Sequence, residues 1–72
     1  MVDTQHLVKK IEESGLKTSY IVEKMGISRQ AFDFKKRNKR KFRIAEIYVL
    51  CDLLNIPDED RQSIFFADEV NT

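Results

Sequence analysis

The stretch Gly26-Ile27-Ser28-Arg29-Gln30-Ala31-Phe32-Asp33-Phe34-Lys35-Lys36-Arg37 reads as a turn opening a short, cation-tipped helix. A glycine that follows a helical pattern suits a left-handed cap or tight turn. Ser28 is a good N-cap, because its hydroxyl can accept an otherwise orphaned amide proton of the next turn, so the helix is predicted to start at Arg29. Ile27, Ala31 and Phe32 are spaced to lie against the preceding helix, and Arg29, Gln30, Asp33, Phe34 and Arg37 point outward. Asn38 suits a left-handed terminator, and a Lys39-Arg40-Lys41 loop follows.

Upstream, Lys17 to Met25 reads as a helix, with Thr18 or Ser19 as cap, Glu23 within capping-box or ion-pair range, and Ile21, Val22 and Met25 facing inward. Leu16 is placed to act as a hydrophobic staple on Ile21 or Val22. Two helices joined through Gly26 over about residues 18–37 are the layout of a helix-turn-helix, whose second helix normally enters the DNA major groove. Further back, Asp3 caps a first helix over residues 4–14 carrying Leu7, Val8 and Ile11, which Gly15 ends. His6 beside that stripe reads as a surface histidine.

Downstream, Phe42 is expected to plug the loop into the core. A fourth helix then runs from Ile44 to Leu54, with Ile47, Leu50, Cys51 and Leu54 at helical spacing and Tyr48 off that stripe. Asn55 ends it and Ile56 folds back on it. Pro57-Asp58-Glu59-Asp60 looks like the proline-started, acid-rich first turn of a fifth helix, where acid favours the dipole. Ile64, Phe65 and Phe66 cluster near its end, before a polar tail from about Ala67 to residue 72. These aromatics either close the small core or stay exposed in part, marking a dimer or partner surface.

Seventy-two residues make one small domain, near the lower limit for a core without staples, and compact helices are the economical solution. A charged fraction of 35% fits a small, surface-rich chain. The one cysteine excludes an intrachain disulfide, and with one histidine no structural zinc site is expected. Cys51 on the apolar stripe reads as a core residue rather than a nucleophile. No signal peptide or membrane anchor is expected, which points to a cytoplasmic, nucleoid-associated location. No phosphate loop, repeat, paired carboxylates or Ser/His/Asp set stands out, so neither an enzyme nor a cofactor is expected.

The net charge of +1 hides a strong asymmetry. Residues 1–34 balance at zero, residues 35–51 carry +6 and residues 52–72 carry −5. A basic run is either a solvated face or a set of phosphate contacts, and its place directly after a candidate recognition helix favours contact.

From Leu16 to Ile56 the chain resembles the Cro and lambda-repressor type of helix-turn-helix regulator carried by temperate phages. The resemblance rests on Gly26-Ile27-Ser28-Arg29-Gln30 with an inward Phe32, on Phe42, and on Glu46-Ile47, Leu50-Cys51 and Leu53-Leu54-Asn55-Ile56. It implies an all-α, compact five-helix domain whose third helix lies in the major groove of double-stranded operator DNA, usually as a homodimer on a two-fold site. The base-reading positions of the family fall on Arg29, Gln30 and Phe34, with Ser28 and nearby amides available to phosphate. Arginine chelates guanine and glutamine chelates adenine, so the first two are chemically apt. Lys35, Lys36, Arg37, Lys39, Arg40, Lys41 and Arg43 would supply phosphate contacts.

Two residues depart from that pattern. Phe34 replaces the usual polar residue, and Asp33 puts a negative charge on the face that approaches phosphates. Phenylalanine can contact a thymine methyl and aspartate can accept from cytosine, yet an outward aromatic flanked by arginine and glutamine is also the composition of a protein hot spot. The chain as a whole is similar to small phage switch proteins of the modulator-of-repression type, antirepressors that join the phage repressor. That resemblance implies a repressor partner, met either by the third-helix face or by the acidic end, for which Asp58, Glu59, Asp60, Phe65 and Phe66 are the candidate surface.

Overall fold

Most helix ends are written by a local signal, and the computed structural model, which describes residues 1–70, shows how those signals are used. Helix α1 spans Thr4–Ser14, with the Asp3 carboxylate accepting the His6 amide at 3.1 Å and Gly15 closing it in the left-handed region at φ 70°. Helix α2 spans Thr18–Met25 and is capped by Lys17 without a side-chain bond, so neither Thr18 nor Ser19 is the cap. The Lys17 carbonyl accepts from both the Tyr20 and Ile21 amides, which draws Thr18 into the first turn.

Gly26 stands at φ 71°, its amide donating to the Val22 and Glu23 carbonyls, and the Ile27 amide also donates to Val22 at 3.2 Å. That wrap of two amides on the last turn demands a left-handed residue, where a Cβ is strained even though nothing lies close to it. Helix α3 spans Arg29–Lys36, and the Ser28 hydroxyl accepts the Ala31 amide at 3.0 Å. Asn38 follows in the left-handed region at φ 65°.

Helix α4 spans Ile44–Leu53 and α5 spans Asp58–Phe65. Between them Asn55 adopts φ 55°, and the Ile56 amide folds back on the Cys51 carbonyl at 2.9 Å. Residues 67–70, expected in a polar tail, instead form a single helical turn, α6, Ala67–Val70. The chain's start holds that turn: the Ala67 amide donates to the Met1 carbonyl, and the Met1 amine lies 2.6 Å from the Asp68 carboxylate. Residues 71–72 of the expected tail lie outside the described residues.

The regular elements among the described residues are all helices, and none of them is long and apolar enough to cross a membrane. Five helices each commit one fully buried side chain to a common centre: Leu7, Ile21, Phe32, Leu50 and Ile64. Ile47, Cys51, Leu54, Ile56 and Phe65 complete the core, and Phe66 packs partly buried against it. Phe65 therefore closes the core and leaves the partner surface expected of it. Phe42 bridges the far side, edge-on to Phe32 at 6.4 Å and to Phe65 at 5.5 Å. The radius of gyration, 11.2 Å, is that of a close-packed globule of this length. Helix α3 packs on α1 and α2, α4 on α2, and α1 on α5, so α3 has one side free.

Candidate functional site

The free side of α3 begins at its first turn, where Ser28, Arg29 and Gln30 are exposed. A turn later Asp33 and Arg37 pair at 3.2 Å on the surface, at i,i+4 spacing. Arg29, Gln30, Asp33 and Lys36 line a shallow groove with Phe32 and Thr18. Thr18 is not among the expected site residues; as the first residue of α2, whose cap Lys17 makes no side-chain bond, it lies beside the α3 face. Its only signal in the chain is a pair of hydroxyl residues at a helix start, which suits a cap equally well.

Beyond α3 the Lys39, Arg40, Lys41 and Arg43 side chains are exposed. Their loop is anchored by backbone and side-chain bonds. The Lys39 and Arg40 amides both donate to the Phe34 carbonyl, and the Asn38 side chain grips Val2, accepting its amide at 2.7 Å and donating to its carbonyl at 3.0 Å. Phe34, expected to point outward, is half-buried, and the Arg40 guanidinium lies 5.7 Å above its ring. Lys36 is half-buried too, its ammonium 5.1 Å from the Phe32 ring centre.

Lys35 departs most from its expected place. It is buried, 7% exposed, and its ammonium lies 2.5 Å from a Glu46 carboxylate oxygen that is itself buried. Lys35 is three residues from Phe32 and four from Ala31, so it follows the inward stripe of α3, just as Glu46 lies one position before Ile47 and four before Leu50. Opposite charges on two inward stripes are the legible signal of this pair. The same Glu46 oxygen accepts the Arg43 amide at 2.9 Å, which joins the start of α4 to α3. Burial pushes the Glu46 carboxyl up, but the Lys35 hydrogen bond, the Arg43 amide and the two cations outweigh it and hold the group below its ordinary value. Lys35 thus positions α3 rather than presenting a cation to phosphate.

On the acidic end, Asp58 and Glu59 are exposed, Asp60 is half-buried, and Asp58 pairs with Arg61 at 2.9 Å. These residues stand at the start of α5, a different surface from the α3 face. Cys51 is buried, and burial, with Asp58 nearby, pushes its thiol up against the opposing pull of Arg61. Comparison of the chain with protein-family models, with curated proteins and with solved structures gives no match.

Proposed function

We propose that the chain is a regulator of the lysis/lysogeny switch of a temperate phage, in which α2, the Gly26 turn and α3 act as a helix-turn-helix of the lambda-repressor type on operator DNA. The observation that carries this reading is the pairing of exposed Arg29 and Gln30 on the first turn of α3 with an exposed, backbone-anchored cationic loop. In it Arg29 and Gln30 read base edges, Ser28 lies against phosphate, and Lys39, Arg40, Lys41 and Arg43 hold the backbone. Gel-shift titration against the switch region of the same genetic element tests it. Arg29→Ala or Gln30→Ala lowers discrimination by about 1–3 kcal/mol for each bidentate hydrogen-bonded pair removed. Failure of every fragment to outcompete random DNA at moderate salt would refute direct operator reading.

A second reading, an antirepressor that binds the phage repressor's DNA-binding domain, is favoured by how charge is used on α3. Glu46 neutralises Lys35 and Asp33 engages Arg37, so the helix itself offers phosphate fewer free cations than its sequence suggests. In that reading the groove with Asp33 and the exposed Asp58 and Glu59 meet a basic partner. Mixing with the cognate repressor and measuring complex mass tests it, and a complex unaffected by Asp33→Lys and by Asp58→Lys refutes both surfaces.

A further inference from the structure

Three distant segments meet behind the cationic loop: the first residues of the chain, the link between α3 and α4, and the end of α5. Bonds tie them together. The Asn38 side chain holds both backbone groups of Val2, the Asp3 amide donates to the Ile64 carbonyl at 2.7 Å, and the Ala67 amide donates to the Met1 carbonyl at 3.0 Å. The seam does not close completely. It leaves a cleft of about 410 Å³, against about 260 Å³ for the groove beside α3 and within the size range of small-molecule sites. Because these bonds already fix its walls, a ligand meets a preformed surface.

The lining is divided by chemistry. Buried Ile47 and Phe65 form its deep wall, and half-buried Phe42 and Phe66 extend that wall outward. Such a wall offers water few hydrogen bonds, so an apolar group that displaces water there gains affinity. Phe42 and Phe65 meet edge-on at 5.5 Å, and a flat ring from a ligand would join them in the same kind of contact. The exposed side chains of Arg40 and Lys41 line the same cleft. Asp68 is there too, but the Met1 amine engages its carboxylate at 2.6 Å and, with Lys41 near, holds it below its ordinary value. Arg40 and Lys41 form no salt bridge among the described residues, so positive charge is in excess beside the apolar wall. The complement of that pairing is a molecule with a flat apolar body and one carboxylate. We infer that this cleft is a binding site for a small aryl carboxylate, its rings against Phe42, Phe65 and Phe66 and its carboxylate on Arg40 and Lys41. The inference does not depend on whether α3 reads DNA or protein.

Titration of the isotope-labelled full chain with sodium naphthoate, followed by amide proton–nitrogen correlation NMR, tests it. The Phe42, Ile47, Phe65 and Phe66 amides shift saturably, with a dissociation constant on the order of 100 μM. Naphthalene carboxamide, which keeps the shape without the charge, binds about tenfold more weakly, and naphthylmethylamine more weakly still. Lys41→Glu and Arg40→Gln each weaken naphthoate binding about tenfold, and the dispersion of their spectra verifies the fold. Phe66→Ser weakens it through the apolar wall, and the two exposed cation variants carry the test if that chain fails to fold. Amides that stay unmoved at millimolar naphthoate, a carboxamide or amine that binds as tightly as the carboxylate, or native affinity in both Lys41→Glu and Arg40→Gln overturns the inference.

Discussion

Replacing Glu46 by Gln keeps an acceptor for the Arg43 amide but leaves the Lys35 ammonium buried without its counter-charge. Lys35 is 7% exposed and Glu46 8%, so water cannot make up the difference without opening the packing between α3 and the start of α4. Removing one member of such a pair costs about 3–5 kcal/mol. A domain of this length has a total stability of roughly 4–11 kcal/mol and loses about 7 °C of melting temperature per kcal/mol, so the midpoint should fall by roughly 20–35 °C. Lys35→Met leaves the carboxylate unpaired and is also destabilising, though its remaining bond to the Arg43 amide softens the cost. The double variant Lys35→Met/Glu46→Gln should recover much of that stability, because no buried charge is left. Urea unfolding of the four proteins, followed by far-ultraviolet circular dichroism, closes the cycle and isolates the coupling. Single variants that each cost under about 1 kcal/mol and add without coupling would refute the buried pair. A phosphate-contacting Lys35 has the opposite signature: native stability in Lys35→Met, with a salt slope of DNA binding reduced by about 0.9.

The same carboxylate contributes to acid stability. Its folded-state value lies below the ordinary 4.5, so its contribution is fully present above 4.5 and is lost as pH falls through the lowered value. Thermal midpoints measured across that range should decline steeply for the native chain and more gently for Lys35→Met/Glu46→Gln. At Asn38, substitution by Gly retains the left-handed backbone but deletes both side-chain bonds to Val2, costing about 1–3 kcal/mol, and Asn38→Ala adds about 1 kcal/mol of backbone strain. An Asn38→Gly chain as stable as the native one would show that this clasp contributes nothing.

Residues with local consequences were readable from the chain alone. Asp3, Gly15, Gly26, Ser28, Asn38 and Asn55 each delimit a helix where expected, because a cap is made of bonds spanning three to five residues and needs no distant partner. The inward stripes of α2 and α4 followed from period alone for the same reason, whereas on α1 Leu7 and Ile11 turn inward but Val8, expected beside them, is exposed. Exposure of the first α3 turn was legible too, since Arg29 and Gln30 directly follow the cap.

The sequence by itself therefore determined an all-helical fold, the boundaries of its first five helices to within a residue or two, and the exposure of the first turn of α3, though not the half-burial of Phe34. Only the tertiary structure decided that Lys35 and Glu46, eleven positions apart, would neutralise each other, that Asn38 would clasp Val2 across thirty-six, and that Phe65 would be sealed inside. It also left Ile44 bare, along with the off-stripe Tyr48, on the most apolar helix of the fold. The difference is one of range: a charge or an aromatic ring has no fixed role until another element has packed against it or left it to water.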